Sequence, residues 1–349
     1  MAELEIGERP SIGVMGGGTG SSTLLSYLKN EADTHAFVAT GDDGGSTGRL
    51  RREFEDQGLM PPGDLRQVLE ALADDDPGNV ARQLFGIRIP EGSGQQEVGG
   101  HSLGNIILSS LELLDDGDIT TAITMAGALL RIQGHVYPIT TDSHDVVLDH
   151  LSKITRGESN ISEIIIDKNQ PEALWLEPGA RLHPVAEAAL HQVDEVVIAP
   201  GNLHSSLLPV LSVDGVRQTL DEISAPIVVV ANIMNRRHNP GFHVADYVGR
   251  VQERTGRVDV VLYNTQIPSA EMIDQYAGEG EFPVNINHAG FGVLDEDTLV
   301  VGADLLSEQP YLRNPQDKTT VVRTAIRHDP REVSRFLVGI ANGAIPMSR

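Results

Sequence analysis

The sequence predicts an α/β fold with a Rossmann-like, mostly parallel sheet and an added helical region. Three observations predict it: short β-branched runs recur along the chain, amphipathic helical patterns alternate with them, and glycine or Asp/Asn clusters follow the runs. This alternation is typical of βαβ units, whose ligands bind at the carboxyl ends of the strands. We expect a single α/β domain over residues 10–349.

Five runs are predicted to be strands of this sheet: Ser11–Met15, Thr34–Thr40, Val193–Ala199, Ile227–Ala231 and Val258–Tyr263. Two segments depart from the alternation. A helical region is expected over residues 61–132, with helices at Leu65–Ala73, Leu103–Leu114 and Ile119–Leu130. A polar, turn-rich segment is expected over residues 154–184. Inside the helical region, the stretch Glu91–Gly100 is predicted to be a loop that could order on ligand binding.

Composition excludes several classes of protein. The 349 residues carry 26 Lys and Arg against 50 Asp and Glu, and the net charge of −24 argues against non-specific binding to nucleic acid or anionic lipid. The absence of cysteine excludes disulfides, thiolate metal sites and a cysteine nucleophile. The N-terminus is acidic, and no apolar run reaches the roughly 18 residues of a membrane span. We therefore expect a cytoplasmic protein without membrane insertion.

The first motif is the stretch Gly16-Gly17-Gly18-Thr19-Gly20, between a predicted strand and a predicted helix. Glycines bring backbone N–H groups close to an anion, and a helix N-terminus adds partial positive charge. The lysine of a Walker A motif and the third glycine of GxGxxG are both absent. The stretch predicts phosphate or diphosphate binding, with a tight capped turn as the alternative.

The second motif, Asp42-Asp43-Gly44-Gly45-Ser46, follows the second predicted strand, and Arg49 lies just beyond it. A carboxylate at this place commonly accepts hydrogen bonds from a ribose. Two adjacent carboxylates could instead hold Mg²⁺ beside a phosphate, and Arg49 could pair with an anion. An Asx turn is the purely structural alternative. The sequence does not separate ribose contact from metal contact.

Two further motifs lie in the predicted helical region. Asp64 follows two prolines and a glycine and is predicted chiefly as a helix N-cap, while Arg66 is a candidate anion contact. His101 and Asn105 surround another helix start. Because no second histidine stands at metal-ligand spacing from His101, a structural role competes with a ligand contact there.

In the second half of the chain, Gly201 and Asn202 follow another predicted strand and precede a polar helix start. Since carboxyl ends of parallel strands meet at one edge of the sheet, we expect these two residues to form a second wall of the same crevice.

These segments, in this order, resemble the YvcK-type proteins, a family of gluconeogenesis factors or UDP-N-acetylglucosamine-binding proteins. The resemblance runs from about residue 12 to residue 340. Its stretches are Gly16–Gly20, Asp42–Arg51, Pro61–Arg66, His101–Asn105, Val136–Thr140, Arg156–Ser159, Ala199–Pro209, Ala231–Met234 and Ile326–Pro330. The related 2-phospho-L-lactate transferases usually have a different continuation after GGTG, where this chain has Ser21–Leu24.

The resemblance implies a bound UDP-sugar with its diphosphate on the loop Gly16–Gly20. It also implies ligand contacts from Tyr276 and Arg327. The implied protein is a regulator without turnover, linked to gluconeogenic growth, envelope precursor supply and cell shape. It requires no cofactor, although Asp42 and Asp43 could bind Mg²⁺, and a homo-oligomer or a protein partner could read out the ligand.

Two enzymatic alternatives stay open. One is a transferase that moves a phospho-carboxylate group from a nucleotide diphosphate to an alcohol, as 2-phospho-L-lactate transferases do. The other is an NAD-dependent dehydrogenase, which the incomplete GxGxxG pattern disfavours.

Overall fold

The computed structural model describes residues 9–53, 58–90, 99–114, 118–308 and 326–344, so most of the loop predicted at Glu91–Gly100 lies outside the described residues. The strands are β1 (Ser11–Gly16), β2 (Asp33–Val38), β3 (His135–Pro138), β4 (Asp145–His150), β5 (Lys153–Arg156), β6 (Glu172–Glu177), β7 (Glu195–Ile198), β8 (Ile227–Val230), β9 (Met234–Asn235), β10 (Val260–Asn264), β11 (Phe282–Pro283) and β12 (Leu299–Ala303).

The helices are α1 (Gly18–Leu28), α2 (Gly45–Glu53), α3 (Gly63–Leu72), α4 (Val80–Gly86), α5 (Leu103–Leu114), α6 (Ile119–Leu130), α7 (Glu158–Ile161), α8 (Pro184–Leu190), α9 (Leu208–Leu211), α10 (Val216–Glu222), α11 (Val244–Thr255), α12 (Ala270–Ala277) and α13 (Pro330–Ala341). A π-helical turn spans Leu203–Leu207, and a 3₁₀ helix spans His288–Val293. Among the described residues, no helix has the length and apolar character needed to cross a bilayer.

Seven of the described strands form one parallel sheet in the order β12-β10-β8-β7-β1-β2-β3. The strands β7 and β8 are buried along their whole length because helices cover both faces of the sheet. Leu25, Leu65 and Leu337 belong to the core on one face, and Leu190 and Val248 to the core on the other. The prediction of a Rossmann-like α/β fold is confirmed.

The five predicted strands are all present, but two strands of the main sheet were not predicted. These are β3 and β12, which form its two edges. Both lack the continuous β-branched run of an inner strand: β3 has the sequence HVYP, and β12 contains Gly302 and is only partly buried. An edge strand pairs with only one other strand and is less covered than an inner strand. Its residues therefore need not be as consistently apolar and β-branched.

The predicted helical region contains α3, α4, α5 and α6, of which only α4 was not predicted. The bounds of α5 and α6 match the prediction, and the side chain of Asp118 caps α6 by accepting from two backbone amides. The segment 154–184 is more regular than its polar sequence indicates. It contains α7 and β6, and β6 pairs with β4, the central strand of a three-stranded antiparallel sheet in the order β5-β4-β6.

The strand order places a topological switch point between β1 and β7. From β1 the chain runs outward to β2 and β3, whereas the strands from β7 onward build the other half of the sheet. Connections leave in opposite directions at such a point, which opens a crevice at the carboxyl ends of the two strands. The glycine-rich stretch follows β1, and Pro200–Asn202 follow β7.

Candidate functional site

The glycine-rich stretch forms the turn from β1 into α1, and its backbone requires glycine. Gly18 has φ of +66°, a left-handed conformation that disfavours side chains with a Cβ. Gly17 occupies the N-cap position of α1 and has no side chain to cap the helix, and the first turn carries no acidic residue. The N-terminus of α1 therefore presents backbone amides to the crevice, as an anion site requires.

Two other glycines of the loop are fixed by close packing. A Cβ on Gly20 would lie 1.8 Å from the carbonyl oxygen of Pro200, and a Cβ on Gly17 would lie 2.1 Å from a carboxylate oxygen of Asp64. Gly20 thus brings the loops after β1 and β7 into contact, and Gly17 admits the carboxyl group of Asp64. These two glycines therefore leave room for neighbouring groups of the protein itself, in addition to any room they leave for a ligand.

The loop after β7 forms the opposite wall. The amide of Gly201 donates to Oδ1 of Asn232 at 3.0 Å, and Nδ2 of Asn232 donates to the carbonyl of Gly201 at 2.7 Å. Asn202 caps the π-helical turn, and its Oδ1 also lies 3.1 Å from Nε2 of His238. The wall is therefore held rigidly by side-chain amides from the neighbouring strand ends.

Between these walls lies a cavity of about 290 Å³. It is lined by the loop residues Gly17–Gly20, by Pro200, Gly201 and Asn202, by Asn232, Ile233 and Met234, and by Arg236, Tyr276, Glu281, Arg327 and His328. A second cavity of about 660 Å³ shares Asn232 and Ile233 with the first and extends past Phe282 and Ile267. The adjoining cavities together offer the volume range of a small-molecule site.

The polar groups of the first cavity include two arginines. Arg236 pairs with the buried carboxylate of Glu281 at 3.3 Å, and Arg327 lines the far wall at the start of α13. Tyr276 is buried, and its hydroxyl accepts the amide of Ile326 at 2.9 Å. Burial lowers the pKa of His328 to about 4, so this ring is neutral at physiological pH while it contacts the carbonyl of Ala231.

On the other side of the glycine loop, three carboxyl groups converge, and we call Asp42, Asp64 and Glu158 the carboxylate cluster. Asp42 accepts the amide of Gly44 at 2.9 Å and shares a hydrogen bond with Glu158. Asp64 accepts the amide of Gly18, the first residue of α1. The prediction of Asp64 as the N-cap of α3 is wrong, because Pro62 occupies that position without a side-chain cap bond.

Burial is the main cause of the pKa shifts in the carboxylate cluster. It raises the pKa of Asp64 to about 8, and the neighbouring charge of Asp42 adds to the shift. Burial likewise raises the pKa of Asp42 and raises that of Glu158 well above its ordinary value, where Asp42 and Asp64 contribute further. Two carboxyl groups that share a hydrogen bond need a proton between them, so the cluster retains protons at neutral pH.

A polar network joins the next predicted residues to this side of the loop. The hydroxyl of Ser46 lies 3.0 Å from Nδ1 of His101 and accepts from Nδ2 of Asn105 at 3.2 Å. Arg66 donates to Oδ1 of Asn105 at 2.8 Å and pairs with Glu70. His101, Asn105 and Ser46 are buried, and this network links α2, α3 and α5 behind the carboxylate cluster.

Asp43 and Arg49 bind other parts of the chain. Oδ1 of Asp43 accepts from the amide of Ser159 at 2.8 Å and from its hydroxyl at 2.6 Å, which ties the loop after β2 to α7. Arg49 donates to the carbonyl of Gly99 at 3.0 Å. The adjacent aspartates therefore have different surroundings: Asp42 belongs to the carboxylate cluster, and Asp43 lies near the surface.

The structure thus divides the predicted site residues into two groups. The first lines the cavity and consists of Gly17, Gly18, Thr19, Gly20, Gly201, Asn202, Tyr276 and Arg327. The second lies behind the loop and consists of Asp42, Asp64, Ser46, Arg66, His101 and Asn105. Gly16 ends β1, and Gly44 and Gly45 lead from Asp42 into α2.

Sequence reasoning missed four residues that the geometry places in these groups: Glu158, Asn232, Arg236 and His328. Glu158 lies in the stretch Arg156–Ser159, which carries part of the resemblance, and His328 lies beside Arg327. Asn232 directly follows the predicted strand Ile227–Ala231, much as Asn202 comes soon after Val193–Ala199. This position at a strand end was the signal that could have identified Asn232. Arg236 offered no local signal.

With this geometry in place, the chain can be compared with known proteins. The family model described as 2-phospho-L-lactate transferase CofD matches residues 12–305. The gluconeogenesis factor of Bacillus subtilis is 31% identical, covering 96% of this chain and 99% of the relative. A putative gluconeogenesis factor of Nostoc is 33% identical, covering 99% of this chain and 71% of the relative.

A crystal structure of a Bacillus halodurans protein has the same architecture. It superposes with a TM-score of 0.83 and 29% sequence identity, covering 95% of this chain and all of that one. The family model and the full-length relatives agree with the resemblance found in the motifs, from Gly16–Gly20 to Ile326–Pro330. The chain therefore belongs to the CofD family, among relatives named gluconeogenesis factors.

Proposed function

We propose that this chain binds a UDP-sugar of the UDP-N-acetylglucosamine class in the cavity between β1 and β7 and acts as a regulator without turnover. The observation that carries the proposal is the N-terminus of α1, whose N-cap residue Gly17 has no side chain and which opens onto a cavity with Arg236 and Arg327 on its other walls. Backbone amides and guanidinium groups are the donors that a diphosphate needs.

The position of the site supports the same proposal. It lies at the topological switch point of a Rossmann-like sheet, where nucleotides bind in many such folds. In this proposal the cavity at the glycine loop would hold the diphosphate, and the adjoining cavity past Asn232 and Ile233 offers room for the rest of a nucleotide sugar. The whole chain carries a net charge of −24, so local arginines matter for holding an anion.

The wider role is proposed from the relatives, several of which are named gluconeogenesis factors. We propose that ligand occupancy reports nucleotide-sugar supply in the cytoplasm during gluconeogenic growth and so links it to envelope synthesis and cell shape. A homo-oligomer or a protein partner would read out the occupied state.

The carboxylate cluster fits a divalent cation better than the adjacent pair Asp42 and Asp43. Asp42 and Glu158 are partly buried and share a hydrogen bond that needs a proton, and a cation with hard oxygen ligands would replace that proton. Asp43 instead uses Oδ1 for two bonds to Ser159. Mg²⁺, when bound there, would neutralise charge beside the glycine loop, and the proposed ligand binding does not require it.

Isothermal titration with UDP-N-acetylglucosamine tests the proposal. We expect one saturable site per chain, and Arg327→Gln should weaken binding by about tenfold or more, since a hydrogen bond to a charged group contributes roughly 1.5–3 kcal/mol. Arg331→Gln is the matched control, because Arg331 lies four residues after Arg327, is exposed on α13 and is outside the cavity lining. Absence of both heat and thermal protection at millimolar ligand would refute the proposal.

A second candidate is a transferase reaction like that of 2-phospho-L-lactate transferases. The carboxylate cluster favours it, because buried acids beside a phosphate loop could hold Mg²⁺ or accept a proton from an acceptor hydroxyl. Release of GMP from a guanosine diphosphate donor in the presence of a deazaflavin acceptor and Mg²⁺ or Mn²⁺ would support it. Binding of UDP-N-acetylglucosamine with no GMP release under these conditions would favour the regulator.

A further inference from the structure

Three side chains of metal-ligating type converge at the amino ends of β2 and β3, away from the crevice. Asp33 and His35 are two residues apart on β2, so both point to the same face of the sheet. His135 is the direct register partner of His35 on β3 and therefore shares that face. Topology alone thus places two imidazoles and one carboxylate side by side at an edge of the sheet.

The distances match those of ligands around one small cation. Nε2 of His35 lies 3.5 Å from one carboxylate oxygen of Asp33, and Nε2 of His135 lies 3.7 Å from the other. One ligand atom from each of the three residues lies within 4.8 Å of both others. Tetrahedral zinc with bonds of about 2.0–2.1 Å holds its ligand atoms about 3.3–3.4 Å apart. The two distances from Asp33 to the histidines exceed this spacing by only a few tenths of an ångström.

The surroundings of His35 orient its ring for this role. Nδ1 of His35 lies 3.3 Å from the hydroxyl of Tyr137, two residues after His135 on β3, which leaves Nε2 facing Asp33. Metal-bound histidines commonly use their second ring nitrogen in this way.

We propose that Asp33, His35 and His135 form a binding site for a zinc-class divalent ion. The side chains of His135 and Asp33 are each about half exposed. Water can therefore reach the fourth ligand position, and the ion can enter from solvent. A His₂Asp set with one water is a suitable coordination sphere for Zn²⁺. The proposal is independent of the proposed nucleotide site, which lies at the carboxyl ends of β1 and β7, the opposite end of the sheet.

A bound ion would stabilise the edge of the sheet. It would join β3 to β2 through side chains in addition to the backbone ladder, and β3 was one of the two strands with weak sequence signals. The same two strands lead at their carboxyl ends to the loops after Val38 and Pro138. The structural consequence expected is a higher unfolding temperature with zinc, not a change in nucleotide affinity.

The test is a titration of the full chain with Zn²⁺ after treatment with a chelator, followed by cobalt spectroscopy. We expect one site per chain, visible d–d bands of tetrahedral Co²⁺, and a rise in unfolding temperature with zinc. His135→Ala should abolish all three signals while the variant keeps its circular dichroism spectrum. Tyr137→Phe should weaken zinc binding about tenfold, because it removes the hydroxyl that contacts Nδ1 of the ligand His35.

His191→Ala is the matched control. His191 is also a half-exposed histidine near one carboxylate, with Nε2 3.8 Å from Glu222, but it has no second histidine beside it in the described structure. Its replacement should leave the zinc signals unchanged. Zinc binding of equal affinity and stoichiometry in His135→Ala, or none in the unaltered protein, would overturn the proposal. The three side chains would then form two ordinary Asp–His contacts at a sheet edge.

Discussion

The glycine loop separates two regions of opposite character. On the cavity side it faces Arg236 and Arg327, and on the other side it faces the carboxylate cluster. The start of α1 contacts both regions, because the amide of Gly18 donates to Asp64 while residues Gly17–Gly20 line the cavity. A carboxylate so close to the proposed anion site would repel the anion, but the pKa of Asp64, raised to about 8 by burial, leaves it mostly neutral at pH 7. Because Asp64 is protonated, the carboxylate cluster and an anion-binding cavity can lie on opposite sides of the same loop without charge repulsion.

The largest effect is expected for Gly20→Ala, which tests whether contact between the loops after β1 and β7 maintains the cavity. A Cβ at Gly20 would lie 1.8 Å from the rigid backbone oxygen of Pro200, so the two walls must move apart. We expect a loss of about 3 kcal/mol in the free energy of unfolding and loss of ligand binding. Denaturant unfolding and titration calorimetry measure the two effects.

Gly249→Ala is the control for that substitution. Gly249 lies within α11, and a Cβ there would meet no atom within 4 Å, so alanine should leave stability unchanged or raise it by up to about 1 kcal/mol. Equal stability of the two variants would mean that the packing of Gly20 does not hold the walls together.

The second prediction concerns the segment that presents Asp64. Glu112 on α5 is buried, and its Oε1 accepts the amide of Met60, just before the turn into α3. Burial raises the pKa of Glu112 to about 7 from 4.5. Below pH 4.5 the group is protonated in both folded and unfolded chains. Between pH 4.5 and 7 only the unfolded chain ionises, so the folded state loses up to about 3 kcal/mol, a loss that stays constant above pH 7.

Glu112→Gln keeps an acceptor for Met60 without a charge. At pH 8 we expect this variant to be about 2 kcal/mol more stable than the unaltered chain, with the difference vanishing near pH 4. Glu177→Gln, which alters an exposed carboxylate paired with Arg156, should show a far smaller pH-dependent change. A Glu112→Gln difference that does not vary with pH would contradict the argument.

Much of this arrangement followed from the sequence because its signals are local. Strand–glycine–helix patterns located the loop, and the strand ends placed Gly201 and Asn202 opposite it. The division into two regions was not predictable. Glu158 comes to the site from α7, and Arg236 comes from the loop after β9. No local sequence pattern predicts that these segments pack against the glycine loop. The N-cap interpretation of Asp64 failed because a tertiary contact with Gly18 replaced the local one.

The third prediction tests the neutral state of Asp64 through nucleotide binding. Raising the pH from 7 to 9 should ionise Asp64 beside the amides of α1 and weaken UDP-N-acetylglucosamine binding by about tenfold, the size expected for like charges a few ångströms apart at a half-buried site. Asp64→Asn keeps an acceptor for Gly18 and should bind with little pH dependence. An identical pH profile in both proteins would show that Asp64 does not face the ligand's charge.

The smallest effect is expected for Asp43→Asn, which tests the boundary between the two regions. Asp43 accepts two hydrogen bonds from Ser159 near the surface, and asparagine can keep them in weaker, neutral form. The free energy of unfolding should fall by about 0.5–1 kcal/mol, with nucleotide affinity unchanged within about twofold. Because Asp42 and Asp43 are adjacent in the sequence, the sequence alone could not show which of the two aspartates belongs to the carboxylate cluster. A large loss of affinity in Asp43→Asn, restored by excess Mg²⁺, would place Asp43 beside the ligand and move the boundary to the surface of α7.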